Sequence, residues 1–183
     1  SDVAQKTETL CYQASVLGDG AYLRFSDQTH AYATLSHNGN KQQQTVILKT
    51  VLNGKVKSEW KQAVGTEAIS PETAYIISDI LSDKNASYLT DSMKGNFVAG
   101  TTPLGLSIGV TNTQDSSSIV GFSSRYSAGF WVGNSQNKPL SGTTEVPLLA
   151  VWHDWMVAAN NDPSYPARTK PTGLQTLNAY ILK

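Results

Sequence analysis

The chain has 183 residues, which is enough for one compact domain or for part of one larger domain. Hydrophobic residues make up 39% of the chain and charged residues 15%, a composition typical of folded globular proteins, so we expect little disorder. The 14 basic and 14 acidic side chains cancel. Because the basic residues form no patch, nucleic acid is excluded as an expected partner.

Membrane insertion and disulfide chemistry are not expected from this sequence. The longest apolar run, 146–151, is far shorter than the roughly 18 to 20 residues of a transmembrane helix. The chain opens at Ser1 without a charged-then-apolar leader, so we expect a mature or excised product.

The single cysteine, Cys11, excludes an internal disulfide and a multi-cysteine zinc site. No cofactor is predicted.

The first predicted elements are a helix and a hairpin. The helix covers about 27–37, with Ser26 as its cap and Asn38-Gly39 as a left-handed stop. Two β-rich runs, 45–52 and 55–60, then flank Asn53-Gly54. Since this dipeptide tolerates positive φ at both positions of a type I′ turn, the sequence predicts a β-hairpin.

A second helix is predicted from Pro71, because Ser70 supplies a capping oxygen and Glu72 an acid in the first turn. Its apolar face is predicted from residues at helical spacing. These residues are Ala74, Ile77, Ile80 and Leu81.

Three antiparallel strands and a last helix follow. The strands are predicted at 106–111, 117–122 and 127–132, each bounded by turn-forming residues. The helix begins near Pro147, and its predicted apolar face packs on the sheet. That face contains Leu148, Val151, Trp152, Trp155 and Ala159.

The predicted fold class is α+β, with a mainly antiparallel sheet flanked by helices. Residues 1–162 form the predicted domain. Residues 163–183 form a proline-containing tail, in which only 174–182 is expected to add an edge strand.

Several segments together resemble a known family. The run Gly105-Leu106-Ser107-Ile108-Gly109-Val110-Thr111-Asn112, followed by Gly129-Phe130-Trp131-Val132-Gly133, resembles the active-site strand region of class A penicillin-binding proteins. Residues 31–39, 71–75 and 152–156 resemble other helices of that family and stand in the family's order. The resemblance implies the C-terminal half of a serine transpeptidase domain, in the superfamily that includes β-lactamases. Its substrates would be the D-Ala-D-Ala ends of cell-wall peptides.

The family's substrate-binding strand carries Lys-Thr-Gly, and this chain has Ser107-Ile108-Gly109 there. The ammonium is replaced by a neutral hydroxyl and the threonine by an apolar side chain. The predicted remnant of the substrate strand is therefore Ser107, Gly109, Thr111 and Asn112. A structural strand without peptide binding is the alternative.

The catalytic serine motif of this chemistry needs a serine one helical turn before a lysine, at the start of a buried helix. Ser-x-x-Lys occurs at 58–61 and at 135–138, but neither serine is predicted on a helix. The same chemistry uses a second motif, Ser-x-Asn. Ser36-His37-Asn38 has this sequence, but it lies at the end of a predicted helix. We therefore predict no catalytic residue in this chain and expect that the amino-terminal half of the domain is missing.

Histidine and tryptophan patterns give no separate site. His30, His37 and His153 lack the spacing of a helical metal site, so no metal ligand is predicted. Among the tryptophans, Trp152 and Trp155 are three apart on one helix face. We expect them in the core or in a partner-facing seam, with carbohydrate stacking as the alternative.

The main hypothesis is a non-catalytic transpeptidase-domain segment linked to peptidoglycan synthesis. Two alternatives stay open: a working D,D-transpeptidase when joined to an N-terminal half, and a protein-binding adaptor. The expected partners are that missing half or a second copy of the chain, together with a peptidoglycan stem peptide. By resemblance alone, the expected location is extracytoplasmic, in the bacterial cell envelope.

Overall fold

A three-stranded antiparallel sheet with helices on both faces organises the part of the chain that the computed structural model describes, residues 23–140, 142, 145–162 and 165–175. The strands are β7 (Gly105–Val110), β8 (Ser116–Phe122) and β9 (Ser127–Gly133), in the order β7-β8-β9. All three coincide with predicted strands. The α+β prediction with an antiparallel sheet is confirmed.

Three α-helices cover the two faces of this sheet. Helices α1 (Phe25–Ser36) and α2 (Pro71–Ser82) pack on one face, α1 over β8 and β9 and α2 over β7. Helix α3 (Glu145–Ala159) packs on the other face. No helix among the described residues has the length and apolarity needed to cross a membrane.

The main hydrophobic core lies between α3 and the sheet. Trp152 is fully buried at its centre, and its indole Nε1 donates a hydrogen bond to the carbonyl of Ala128, 3.1 Å away. The core cluster consists of Leu89, Met93, Phe97, Ala99, Leu104, Leu106, Ile108, Ile119, Ala128, Leu148, Leu149, Trp152 and Met156. A single continuous cluster of this kind fixes the position of β7 relative to α3.

Two of the three predicted helix-end signals in α1 and α2 are confirmed, and one is wrong. The backbone N–H of Thr73 donates to Ser70 Oγ at 3.2 Å, so the cap of α2 is confirmed. The stop of α1 is also confirmed, because Asn38 and Gly39 have φ values of 52° and 83°. The Ser26 cap is wrong. Helix α1 begins one residue earlier, at Phe25, and its N-cap Arg24 makes no side-chain capping bond.

The predicted hairpin is confirmed as β2 (Lys49–Leu52) and β3 (Lys55–Glu59). Asn53 and Gly54 both have positive φ, 52° and 71°, as a type I′ turn requires. The first strand is shorter than predicted, because residues 45–48 lie outside it, although the carbonyl of Leu48 accepts from the N–H of Trp60 at 2.8 Å. All residues of both strands are exposed, so the ribbon projects from the sheet and its helices.

Short elements join these parts. The two-residue strands β1 (Asn40–Lys41) and β4 (Thr66–Glu67) pair with each other, as do β5 (Val98–Ala99) and β6 (Thr102–Pro103). A 3₁₀ helix covers Asp91–Phe97. None of these five elements was predicted, because such short segments carry no periodicity.

Two predicted helix faces are partly wrong. In α2 the buried residues are Ala74 and Ser78, whereas Ile77 and Ile80 are exposed. Ser78 Oγ lies 3.5 Å from the carbonyl of Leu35, and small residues at these positions let α1 and α2 approach closely. The exposed isoleucines Ile77 and Ile80 therefore lie outside the buried contact between α2 and α1.

In α3 the buried residues are Leu148, Leu149, Trp152 and Met156. Val151, which was placed on the buried face, is 55% exposed. Apolar side chains surround this helix, so their spacing alone could not select the buried face.

The segment after α3 contains no helix or strand within 165–175. Most of the predicted edge strand at 174–182 lies outside the described residues. Helix α3 ends at Ala159, before Pro163, as predicted. The division of the chain at residue 162 stays a prediction.

Candidate functional site

Strand β7 carries the candidate site and lies at one edge of the sheet. The N–H of Thr111 donates to the carbonyl of Ser116, and the carbonyl of Gly109 accepts from Ser117 Oγ at 3.2 Å. Because the backbone of an antiparallel strand alternates in direction, Ser107 and Gly109 direct their N–H and C=O groups toward β8. The N–H and C=O groups of Ile108 and Val110 point to the opposite edge.

The side chains of β7 also alternate. Leu106 and Ile108 are buried in the core against α3, so Ser107 and Gly109 lie on the face that α2 and α1 share. Ser107 is half-buried and Gly109 is exposed. The structure thus brings two of the four predicted remnant residues to one face of one strand.

Gly109 has open space where a side chain would lie. A Cβ atom built at this position would meet no atom within 4 Å, and the residue has no positive φ. At Gly121, by contrast, a Cβ would lie 2.3 Å from Cζ2 of Trp152. Packing among the described residues therefore requires glycine at 121 and does not require it at 109. The gap at Gly109 leaves room for close approach by another molecule.

Thr111 and Asn112 lie in the turn beyond β7. The hydroxyl of Thr111 donates to Oδ1 of Asp115 at 2.6 Å, and it accepts from the N–H of Ser116 at 3.1 Å. The hydrogen bond from Thr111 is the main reason that the pKa of Asp115 lies below its ordinary value. Thr111 thus holds the β7–β8 turn, and Asn112 is exposed beside it.

A groove of about 470 Å³ runs beside the outer edge of β7. Its walls come from β7, from the 3₁₀ helix and the segment before it, and from the start of α3. The lining residues are Tyr88, Leu89, Thr90, Met93, Ile108, Gly109, Val110 and Val146. The hydroxyl of Tyr88 donates to the outward carbonyl of Ile108. Sequence reasoning missed Tyr88, because it lies outside any periodic segment.

The serines of the two Ser-x-x-Lys matches are not on helices. Ser58 lies in the exposed strand β3, and Ser135 lies in a turn after β9. Ser36 ends helix α1, where its hydroxyl donates to the carbonyl of Ala33 at 2.8 Å. None of these three serines lies at the start of a buried helix, which is the position that a nucleophile of this chemistry needs.

The histidines lie in separate places. Nδ1 of His37 is 2.8 Å from the carbonyl of Ala33, and Nε2 of His153 is 2.7 Å from the carbonyl of Val98. Nε2 of His30 is buried without a hydrogen-bond partner among the described residues. In that part of the chain, no three His, Cys, Asp or Glu side chains are grouped so as to hold a metal ion.

The tryptophan pair divides between core and surface. Trp152 lies in the core, as described above. Trp155 is 42% exposed and makes edge contacts with the rings of Tyr126 and Phe130, at centroid distances of 6.2 and 6.4 Å. Helix α3 therefore buries Trp152 against the sheet and leaves Trp155 partly exposed to solvent.

Comparison with known proteins identifies similar chains. No family model matches the sequence. The chain is 31% identical over 164 residues to penicillin-binding protein 1A of Clostridium tetani, an alignment that covers 82% of this chain and 19% of that protein. The chain therefore spans about a fifth of the length of this relative.

Solved structures show the same fold at lower sequence identity. Penicillin-binding protein 1A of Haemophilus influenzae matches with a TM-score of 0.65 and 17% identity, over 80% of this chain and 27% of that one. Penicillin-binding protein 3 of Mycobacterium tuberculosis, in complex with aztreonam, matches with a TM-score of 0.58 and 17% identity, over 82% of this chain and 38% of that one.

Proposed function

Because the chain has the fold of part of a penicillin-binding-protein transpeptidase domain, we propose that it acts in peptidoglycan synthesis in the bacterial cell envelope, as a segment that does not itself catalyse acyl transfer. The observation that carries this proposal is Ser107. By the resemblance of its strand, it stands on β7 in the position of the lysine of Lys-Thr-Gly, and it is a half-buried residue without charge.

The chemistry explains why this replacement matters. The family's lysine supplies a cation, and hydrogen bonds to charged groups contribute about 1.5–3 kcal/mol against about 1 kcal/mol for neutral ones. A serine hydroxyl can donate only one neutral hydrogen bond. We therefore expect Ser107 to bind a peptide carboxylate weakly and to give no electrostatic help to an attacking serine.

The backbone edge of β7 supports a binding role. Ile108 and Val110 direct peptide groups outward, and the open space at Gly109 admits a neighbouring backbone. Extended peptides bind such edges by adding a strand, in which main-chain hydrogen bonds provide most of the affinity. A peptidoglycan stem peptide is the ligand that we propose for this edge.

Labelling with a fluorescent penicillin tests the absence of catalysis. The purified chain should give no acyl adduct on a gel or in its intact mass, whereas an active penicillin-binding protein labelled in parallel should give one. A stoichiometric adduct on this chain would overturn the proposal, and mapping the modified serine would identify the nucleophile.

Co-sedimentation with purified peptidoglycan tests the binding role. The chain should sediment with peptidoglycan, Gly109→Val should weaken this binding, and Ser107→Lys should strengthen it by restoring the cation. Ser58→Lys adds the same charge on the exposed ribbon and serves as the control. If both lysine variants bind equally well, net charge and not the β7 edge governs the association.

A second candidate function is a working D,D-transpeptidase formed with an N-terminal half. It is favoured by the exposed apolar residues of α2, which are Ile76, Ile77 and Ile80. Exposed apolar patches mark surfaces that another chain covers. Mixing the chain with a separately produced N-terminal half and repeating the penicillin labelling tests this candidate. A protein-binding adaptor would use the same surface and would give no adduct in that mixture.

A further inference from the structure

Arg168 lies in the segment after α3 and reaches back between α2 and the sheet. Its Nη2 donates to Ser82 Oγ at 2.7 Å, and its guanidinium carbon lies 5.1 Å from the centroid of the Phe122 ring. The Ser82 hydroxyl in turn donates to the carbonyl of Ser78 at 2.8 Å. The orientation of one side of the guanidinium is therefore fixed.

The other side of the guanidinium is not satisfied within the described part of the chain. Nη1 is buried without a hydrogen-bond partner there, and none of the three ion pairs found among those residues involves Arg168. Burial lowers the pKa of Arg168, although Tyr75 and Asp79 oppose this shift. A partly desolvated cation with an unused donor is costly unless an anion reaches it.

Arg168 lines a cleft of about 400 Å³ whose walls carry charges of both signs. One wall is a single face of α2 and its C-terminal end, with Tyr75, Asp79, Ser82 and Asp83. The remaining lining residues are Pro103, Ser124, Ala167 and Arg168. The size is within the range of small-ligand sites, and the two carboxylates exclude a ligand that carries only negative charge.

We propose that this cleft binds a small zwitterion of the amino-acid or dipeptide class, with its carboxylate on the guanidinium of Arg168 and its ammonium group near Asp79 and Asp83. A carboxylate would accept charge-assisted hydrogen bonds from the guanidinium, and Ser124 is a further polar residue of the lining. The cleft shares no lining residue with the groove beside β7. The proposal is therefore independent of the function proposed for that strand.

The alternative is that Arg168 only anchors the segment after α3. Arg125 provides a matched control, because it ties the same region of chain through a 3.2 Å ion pair with Asp162 and a cation–π contact with Tyr165. It does not line the cleft. A purely structural role would make substitutions at the two arginines behave alike.

The test is a titration of the full chain with alanylalanine, followed by the amide chemical shifts of Ser82 and Ser124 in NMR spectra. Two analogues carry one charge each: N-acetyl-alanylalanine lacks the ammonium group, and alanylalaninamide lacks the carboxylate. Saturable shifts with alanylalanine and an affinity lower by about tenfold or more for both analogues are expected.

Arg168→Gln should abolish the saturable shifts, Arg168→Lys should weaken binding, and Arg125→Gln should leave it unchanged. Thermal unfolding of each variant shows whether it is folded at the titration temperature. The proposal is overturned if alanylalanine produces no saturable shift in the folded wild-type chain. Equal affinity for all three compounds would overturn it as well, because neither charge would then be recognised.

Discussion

The hydroxyl of Tyr88 donates a hydrogen bond to the backbone carbonyl of Ile108, an outward-pointing acceptor on the edge of β7. A peptide that adds a strand to this edge needs such outward groups. An incoming peptide would therefore meet an acceptor to which the Tyr88 hydroxyl is already bound. Tyr88 is 77% exposed.

Tyr88→Phe should strengthen the binding of peptidoglycan or of a stem peptide, because the carbonyl of Ile108 is no longer occupied. The free energy of unfolding should fall by no more than about 1 kcal/mol, the typical value of a neutral hydrogen bond. Co-sedimentation and urea unfolding measure the two effects. Tyr165→Phe removes a hydroxyl outside the groove and should change neither. Weaker binding by Tyr88→Phe would mean that the hydroxyl contacts the ligand directly.

The two glycines of neighbouring strands should respond differently to alanine. Gly109→Ala should leave the free energy of unfolding unchanged or slightly higher, because its Cβ meets open space. Gly121→Ala should lower it by about 1–3 kcal/mol or more, because its Cβ would lie 2.3 Å from Trp152 and 2.6 Å from the carbonyl oxygen of Gly105. Urea unfolding of both variants gives the comparison, and equal destabilisation would show that β7 is packed against something at Gly109.

Thr111→Val should raise the pKa of Asp115 toward its ordinary value of 3.8, because the hydrogen bond from Thr111 is the main cause of its depression. A depressed carboxyl pKa stabilises the folded state above the ordinary value and loses this contribution as pH falls through the depressed one. The wild-type chain should therefore lose this contribution at a lower pH than the variant. Carboxyl carbon NMR titration measures the shift.

Asp91 is the internal control for this titration. Its pKa is also lowered, but by hydrogen bonding and charge from Lys94. It should titrate identically in wild type and Thr111→Val. A shift at both carboxyl groups would mean that the substitution acts through a wider change in the fold.

How far the sequence predicts the fold depends on how local the determining interactions are. The Asn53-Gly54 turn, the Ser70 cap and the three sheet strands follow from local chemistry, and all are present. Helix packing faces are set by distant partners. Ser78 is buried against α1 although it is polar, and no periodic pattern of hydrophobic residues indicates this.

Prediction of the candidate site from the sequence is also limited to what local patterns show. The strand that carries Ser107 and Gly109 was located from turn residues and resemblance. Tyr88 reaches β7 across 20 positions of chain, and Arg168 reaches Ser82 across 86. Contacts between segments so far apart in sequence leave no spacing pattern, so neither residue could be assigned to a site before the fold was known.

Alanine substitutions at two nearby positions test which face of α3 is buried. Leu149→Ala should lower the free energy of unfolding by about 2–5 kcal/mol, since Leu149 is fully buried in the core cluster. Val151→Ala should change it by no more than about 0.5 kcal/mol, because the side chain faces solvent. Chemical denaturation measures both free energies of unfolding. In the orientation predicted by sequence spacing, Val151→Ala would instead cause the large loss.

The exposed isoleucines of α2 should cause self-association when no other chain covers them. Ile76, Ile77 and Ile80 lie on one side of α2, so their apolar surfaces adjoin, and water contact with such a patch is unfavourable. Light scattering should show the wild-type chain associating with rising concentration, and Ile76→Ser with Ile80→Ser should shift it toward monomer. Val46→Ser with Val64→Ser removes two exposed valines outside the helices and should have no effect. A wild-type chain that stays monomeric at high concentration would contradict the association and would count against α2 as the surface that a partner covers.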